Sequence, residues 1–184
     1  MFEVMKQLSE WEIEETTRFY AESCKNVEYF QKLFNTVDCA ESIYTNFKAD
    51  VAAAIRQGSC FGLYSRGILR AILLSVDWYS YKYDHPVLFE HMFNSELAST
   101  KAIDAYINNG EGTLFIFAIA TEPNFQNRGY ATKLLKKFNS MLKDGTQVVS
   151  DCTGEGYKSI WLKNGYRLES IKGDEIFNLA VRDI

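Results

Sequence analysis

Apolar and polar residues alternate with different periods along the chain, and in its second half they predict a strand, a helix and further strands. Residues 113–121 are almost continuously apolar, which is typical of a central strand buried on both faces. From Ala131 onward the apolar residues recur at helical spacing with lysines on the opposite face, until Asp144-Gly145 ends the helix. The elements predicted after that helix are a strand over 147–152, a short helix over 157–164, and a hairpin of 166–171 with 176–181.

The first half of the chain is predicted to begin with a strand and to continue with helices. Residues 2–8 fit a first strand, and Ser9 is placed to cap a helix that runs to Tyr20. Residues 27–57 have a helical pattern with a break near Asn35. Two further strands, over 60–65 and 68–78, flank Arg66-Gly67, which is a hairpin signal.

The segment 79–112 is less regular. An aromatic cluster stands at its start, formed by Trp78, Tyr79, Tyr81 and Tyr83, and amphipathic patches follow over 88–93 and 97–107. A tight hairpin would suffice to connect the neighbouring strands, and an insertion this long in a compact domain is usually functional or helical in its own right. We therefore expect an insertion over 79–112.

Composition and charge narrow the class of protein. Of the 184 residues, 47% are hydrophobic and 24% are charged, which is typical of a globular protein. Because the sequence has no repeat or interdomain linker, we expect a single domain over 1–184. The formal net charge of -4 argues against nucleic acid as a partner, because no basic stripe can neutralise phosphates. Since the N-terminus lacks signal-peptide features and no apolar run reaches the length of a membrane span, we expect a cytoplasmic protein without a membrane partner.

The cysteines and histidines do not predict a metal site. Four cysteines are scattered without metal-ligand spacing, and only two histidines could join them. We expect reduced, mostly buried thiols at Cys24, Cys39, Cys60 and Cys152.

The stretch from Gln126 to Ala131 has the chemistry of a phosphate-binding turn. It lies between a predicted strand and a helix, and the first N–H groups of a helix are unpaired and point along the positive end of its dipole. Gly129 allows the backbone to turn and approach a ligand without a Cβ, and Arg128 can add a charge contact. By itself the turn is a weak signal, and a helix start that merely needs a tight turn is the other interpretation.

Together with its neighbours, this stretch resembles the GNAT superfamily of acyl-CoA-dependent N-acyltransferases. The pyrophosphate-binding pattern of that family, Gln/Arg-x-x-Gly-x-Gly/Ala, is present at Gln126, Gly129 and Ala131. The family also has an apolar triplet at the strand end with proline two residues on, which Ile119-Ala120-Thr121 with Pro123 resembles, although Thr121 replaces the usual valine.

A second family pattern lies further along the chain. An aromatic residue, three further residues and Gly-Phe/Tyr end a later helix in the family, and Trp161 with Gly165-Tyr166 is similar. The resemblance is specific over residues 113–168 and loose over residues 1–112, where only the order of strands and helices agrees.

The resemblance implies both a fold and a cofactor. The fold is α/β (α+β): a mixed, strongly twisted sheet of six to seven strands with helices on both faces. The strands 113–121 and 147–152 would splay apart, and the pantetheine arm of acetyl-CoA would hydrogen-bond to the backbone of Ile119 and Thr121. The cofactor-binding residues implied are Ile119, Ala120, Thr121, Gln126, Asn127, Arg128, Gly129, Tyr130, Ala131, Thr132 and Trp161.

The activity implied is transfer of an acetyl group from acetyl-CoA to a primary amine by direct attack on the thioester. A backbone N–H at the strand end can stabilise the oxyanion. Many relatives have tyrosine where this chain has Trp161, whose indole N–H has no usable acidity. Tyr157, one helical turn earlier, is the candidate catalytic residue that protonates the thiolate; alternatively, the thiolate leaves unassisted.

The resemblance assigns no general base. Some relatives carry glutamate at the position of Phe115 in this chain. Proton removal would therefore fall to water or to an acid or base elsewhere, and Asp77, Glu90, His91 and Glu111 are the conceivable side chains.

The acceptor is expected to be a small amine or a peptide amine. We expect the segment 79–112 to roof the acceptor site, with its aromatic cluster as part of the wall. The alternatives are a contact in a homodimer, or sheet aromatics that point alternately to both faces. A different class of function is an acyl-CoA-binding sensor or regulatory module that has lost catalysis, because both familiar catalytic side chains are missing.

Overall fold

In the computed structural model, which describes residues 3–88, 103–104, 106–107, 112–153, 155–170 and 177–184, seven strands form one mixed sheet. The strand order is β1-β2-β3-β4-β5-β7-β6. The strands are β1 Glu3–Gln7, β2 Phe61–Ser65, β3 Ile68–Asp77, β4 Thr113–Thr121, β5 Gln147–Thr153, β6 Arg167–Ser170 and β7 Phe177–Asp183. The predicted mixed sheet of six to seven strands is confirmed.

The described helices follow the predicted succession. They are α1 Ile13–Cys24, α2 Glu28–Phe34, α3 Ala40–Arg56, α4 Trp78–Asp84, α5 Tyr130–Asn139 and α6 Glu155–Lys163. Short 3₁₀ turns cover Glu10–Glu12 and Pro123–Phe125. The described residues between 103 and 107 are helical, as the patch over 97–107 predicts, and the rest of both amphipathic patches, apart from Leu88, lies outside the described residues.

The chain divides into two compact units. Unit 1 comprises Met1–Leu74 and Ala118–Phe138, and unit 2 comprises Ser75–Phe117 and Asn139–Ile184. The single domain expected over 1–184 stays a prediction.

Unit 1 contains the hairpin and the helical break that the sequence predicts. The β2–β3 hairpin turns through Arg66 and Gly67, which have φ of 54° and 76°; positive φ at both central residues is what a type I′ turn requires. Asn35 ends α2 in the left-handed conformation, with φ of 50°. The apolar core of this unit is formed by Ile43, Val51, Leu63, Ile72, Leu73, Leu134, Leu135 and Phe138.

Unit 2 contains the parallel pairing of β4 with β5. The register runs from Thr113 opposite Gln147 to Ile116 opposite Ser150. On its other edge β5 pairs antiparallel with β7 over its whole length, and β7 pairs in turn with β6. The core of this unit includes Trp78, Tyr81, Ile116, Val148, Val149, Ala180 and Val181.

β4 is the middle strand of the sheet, and its burial is less uniform than predicted. Buried and half-buried residues alternate along it, and no residue of the strand is exposed. The alternation changes phase at Phe115–Ile116, where two consecutive residues are buried. Both faces of the strand are therefore covered at this point.

The aromatic segment after β3 is helical, so the interpretation of sheet aromatics pointing alternately to both faces is wrong. β3 ends at Asp77, and Trp78, which was predicted to end the strand, begins α4. The Asp77 side chain accepts a hydrogen bond of 2.8 Å from the Ser80 N–H and thereby caps the helix. This cap outweighs the strand propensity of the aromatic residues.

Candidate functional site

The phosphate-binding turn predicted between Gln126 and Ala131 joins the end of β4 to α5. After β4, the N–H of Glu122 donates to the carbonyl oxygen of Arg70 in β3 at 3.0 Å. The chain then makes the 3₁₀ turn Pro123–Phe125, which has proline where a missing N–H costs nothing. The turn is therefore anchored to the sheet at the residue where it leaves β4.

The backbone of this turn has two residues in the left-handed region. Asn127 has φ of 60° and Gly129 has φ of 81°. A Cβ built on Gly129 would have no protein atom within 4 Å, so the requirement for glycine here is conformational and the space beside its backbone is open.

The first turn of α5 presents N–H groups for an anion. The first bond within the helix runs from the Lys133 N–H to the Gly129 carbonyl oxygen, at 2.9 Å. The preceding N–H groups of Tyr130, Ala131 and Thr132 therefore have no acceptor within the helix. They coincide with the positive end of the helix dipole, which favours a bound phosphate.

A cation–aromatic cluster surrounds the turn. The guanidinium of Arg70 lies 3.7 Å from the centre of the Phe125 ring, and that of Arg128 lies 4.8 Å from it. Arg70 is mostly buried and forms an ion pair with Glu122, so its charge is compensated. Arg128 is exposed, and its charge is available to a ligand.

The end of β4 carries the residues predicted to bind the pantetheine arm. Because successive N–H groups of an extended strand point to opposite edges, the Glu122 bond to β3 directs the Thr121 N–H away from β3. The Gln126 side chain donates to the Thr121 carbonyl oxygen at 3.4 Å. Ile119 and Thr121 are half-buried, and Ala120 is buried.

The two side chains predicted on the later helix have different surroundings in unit 2. Trp161 is only 3% exposed, and its ring lies edge-on against Tyr166 with centroids 4.9 Å apart. The Tyr166 hydroxyl donates to Asn139 Oδ1 at 2.9 Å, and burial raises the pKa of Tyr166. Tyr157 is 48% exposed.

The position where some relatives carry glutamate is part of the core. The Phe115 ring lies edge-on against Trp78, with centroids 5.0 Å apart. The Trp78 indole N–H donates to Asp104 Oδ1 at 3.1 Å, and Lys82 forms an ion pair with the same carboxylate at 2.8 Å. Trp78 thus covers Phe115, and Asp104 links the Trp78 indole to Lys82.

The candidate bases proposed from the sequence are not assembled in the described part of the chain. Asp77 caps α4, and Glu90, His91 and Glu111 lie outside the described residues. Cys152 is 1% exposed, which fits the expected buried thiol.

Asp151 is a candidate that sequence reasoning missed. It lies on β5 one residue beyond the last pair with β4, and burial raises the pKa of its carboxyl group to about 6. The available signal was a carboxylate inside the predicted strand over 147–152, which is otherwise uncharged, a position where burial is expected to disfavour a charge.

The described residues contain neither a candidate metal-ion site nor a candidate membrane-spanning helix. Within them, no group of three or more histidine, cysteine or acidic side chains is arranged to hold a metal ion. No helix among the same residues is long and apolar enough to cross a membrane.

The arrangement of the chain is similar to that of solved N-acetyltransferases. The Drosophila melanogaster polyamine N-acetyltransferase, which catalyses the formation of N-acetylagmatine, has a TM-score of 0.72 at 13% identity over 100% of both chains. The PaiA N-acetyltransferase of Thermoplasma acidophilum, solved in complex with coenzyme A, has a TM-score of 0.65 at 12% identity over 100% of both chains. A GNAT-family acetyltransferase of Bacillus cereus has a TM-score of 0.60 at 10% identity over 100% of this chain and 98% of its own.

The chain has the GNAT fold. The turn from Gln126 to Ala131 lies between the middle strand and α5 of this fold. Neither a family model nor a curated protein matches the sequence. At these identities the likeness to the solved structures establishes the GNAT fold alone.

Proposed function

We propose that the chain transfers an acetyl group from acetyl-CoA to a primary amine by direct attack of the amine on the thioester. The observation that carries the proposal is the turn after β4, where Gly129 has φ of 81° at the start of α5. This is a phosphate-binding device in a GNAT fold, at the position of the family's pyrophosphate pattern.

We propose that both backbone N–H groups and side chains of the turn contact the cofactor. The N–H groups of Tyr130, Ala131 and Thr132 bind the pyrophosphate, because no acceptor within α5 competes for them. Arg128 adds a charge contact to a phosphate oxygen. The remaining loop residues, Gln126 and Asn127, shape the turn, since Gln126 bonds to the strand end and Asn127 adopts a positive φ.

The acyl end of the cofactor is proposed to lie along the end of β4. The pantetheine arm bonds to the backbone of Ile119 and Thr121, beside Ala120, and a backbone N–H at this strand end stabilises the oxyanion. Support comes from the Thr121 N–H, which the Glu122 bond directs away from β3.

The departing thiolate is proposed to receive its proton from Tyr157. The Tyr157 residue is 48% exposed, whereas the Trp161 indole is buried against Tyr166. Trp161 stays proposed as a cofactor-binding residue. We expect Tyr157→Phe to lower kcat about 10-fold or more while the Kd for acetyl-CoA stays unchanged. An unchanged kcat would mean that the thiolate leaves without assistance.

The acceptor is proposed to be a small amine bound beneath the segment 79–112. The aromatic side chains of α4 support this, because Tyr79 and Tyr83 are exposed with ring centroids 4.6 Å apart. Polyamines, agmatine and arylalkylamines are therefore the first amines to test, with a peptide amine as the alternative. A homodimer contact through the same aromatic residues is a separate proposal, which the oligomeric state in solution tests.

The activity is tested by following CoA release from acetyl-CoA with a thiol reagent across a panel of amines. The proposal predicts release that depends on the amine, together with an acetylated product of the expected mass. Tight acetyl-CoA binding without release across the whole panel would favour the second candidate, an acyl-CoA sensor whose catalysis is lost. That candidate draws its support from Phe115 and Trp161, which occupy positions where some or many relatives, respectively, have catalytic side chains.

A further inference from the structure

The ring of Phe125 lies against two guanidinium groups that have different environments. The guanidinium of Arg70 in β3 is 3.7 Å from the ring centre, and that of Arg128 in the turn is 4.8 Å from it. At these distances both cations are attracted to the electron-rich face of the ring. The three residues belong to unit 1, as does the whole turn from Gln126 to Ala131.

Arg70 fixes the ring of Phe125 relative to the sheet. The Arg70 side chain is 12% exposed and forms an ion pair with Glu122. The carbonyl oxygen of Glu122 in turn accepts a hydrogen bond of 2.8 Å from the Phe125 N–H. The Arg70 Nε is buried and has no hydrogen-bond partner within the described residues, so the ion pair and the ring set the orientation of the guanidinium. Both the backbone and the ring of Phe125 are therefore held against β3.

Arg128 is attached to the rest of the protein much more loosely. It is exposed, and no carboxylate of the described residues forms an ion pair with it. It lies between Asn127 and Gly129, which both have positive φ, and the turn brings its guanidinium to the ring of a residue three positions earlier. An exposed arginine side chain loses rotamer freedom when it binds a ligand. The contact with Phe125 removes part of this freedom before any ligand binds.

A guanidinium that lies over a ring is still able to bind a phosphate. Its face contacts the ring, while its N–H groups point outward in the plane of the group. The Phe125 ring also meets Tyr130, the first residue of α5, edge-on with centroids 6.1 Å apart. Phe125 therefore contacts the side chains of two residues that are proposed to bind the pyrophosphate, Arg128 and Tyr130.

We infer that Phe125 is a positioning residue for the cofactor, an inference that rests on the proposed function. Its ring, held by Arg70, orders the Arg128 guanidinium in advance for a phosphate oxygen of CoA. The ring supplies order and no charge. Its loss should therefore weaken CoA binding while the number of ionic contacts to the cofactor stays the same.

The test is a double-mutant cycle on the Kd for CoA, measured by calorimetric titration at low and high salt. Phe125→Leu keeps an apolar side chain but removes the ring face, and we expect it to raise the Kd about threefold with an unchanged salt dependence. In the Arg128→Gln background the same change should alter the Kd by less than about 1.5-fold, because no guanidinium remains to be ordered. Phe125→Tyr keeps the ring face and should retain the wild-type Kd.

Phe61→Leu is the matched control. Phe61 is also a half-buried phenylalanine of unit 1, and its ring lies edge-on against Phe138 of α5 with centroids 5.8 Å apart. No guanidinium of the described residues lies over it, so this variant should keep the Kd for CoA within about 1.5-fold of the wild type. Phe125→Met, which also lacks a ring, replaces Phe125→Leu if that variant does not fold.

Two results would overturn the inference and leave the proposed function standing. One is an equal loss of affinity on Phe125→Leu in the wild-type and Arg128→Gln backgrounds, since the ring would then act on the turn independently of Arg128. The other is an unchanged Kd in the wild-type background. If the wild-type protein itself binds no CoA, the proposed function fails and the inference fails with it.

Discussion

The Ser150 hydroxyl donates a buried hydrogen bond of 2.7 Å to the carbonyl oxygen of Ile116. These two residues form the last pair of the parallel register between β4 and β5. A side chain thus satisfies a backbone acceptor at the point where the backbone pairing of the two strands ends. The bond therefore joins β4 and β5 at the last pair of their register, and both strands continue beyond it.

Replacing this hydroxyl should destabilise the fold. In Ser150→Ala the carbonyl oxygen of Ile116 loses a buried donor, and we expect the free energy of unfolding to fall by about 1–3 kcal/mol. Urea unfolding followed by circular dichroism measures the change. Ser170→Ala, at an exposed position of β6, is the control and should stay within about 0.5 kcal/mol of the wild type. Equal stability of the two variants would mean that the bond is unimportant.

Alanine variants at Gly129 and Gly145 distinguish the effect of backbone strain on stability from the effect on CoA binding. Both have positive φ, 81° and 86°, and a Cβ on either would meet no protein atom within 4 Å. Gly129→Ala and Gly145→Ala should therefore each lower the free energy of unfolding by about 1–2 kcal/mol. Only Gly129→Ala should weaken CoA binding, by about 10-fold or more, since its Cβ lies beside the phosphate-binding N–H groups. Calorimetric titration with CoA that finds equal affinities would contradict this role.

Arg128 should contribute an exposed charge contact to the cofactor. We expect Arg128→Gln to raise the Kd for CoA about 3- to 10-fold and to reduce the salt dependence of binding, because an exposed ion pair is screened by salt. The measurement is the Kd at low and high salt. Lys136→Gln, which removes an exposed charge from α5 at a distance from its first turn, should leave both quantities unchanged.

Asp151 should lower the stability of the protein at neutral pH. Burial raises its pKa from 3.8 to about 6, so the folded state binds the proton more tightly than the unfolded state does. The resulting penalty is fully present above about pH 6, disappears below about pH 4, and amounts to at most about 3 kcal/mol. Asp151→Asn should therefore be more stable than the wild type at pH 7 in urea unfolding and equally stable near pH 4. If Asp151→Asn were less stable than the wild type at pH 7, burial would not be the cause of the raised pKa of Asp151.

Residues whose local chemistry determines the backbone were predictable from the sequence. Gly67, Asn35 and Gly129 all adopt the positive φ that their residue types favour. The apolar run of β4 also identified the middle strand of the sheet correctly.

Features that depend on competing or distant contacts were not predictable. Trp78 and the following tyrosines favour a strand by propensity, and the cap by Asp77 decided for the helix instead. The raised pKa of Asp151 depends on burial in the folded sheet, and a single carboxylate within a predicted strand was its only local signal. The candidate catalytic groups were therefore harder to predict from the sequence than the candidate cofactor loop.

A crystal structure of the protein with bound CoA tests the central claim most directly. The account predicts the pyrophosphate at the turn from Gln126 to Ala131, with phosphate oxygens within about 3 Å of the N–H groups at the start of α5. It also predicts the pantetheine arm along the backbone of Ile119 and Thr121. Pyrophosphate density at any other place on the chain would contradict the assignment of this turn as the cofactor site.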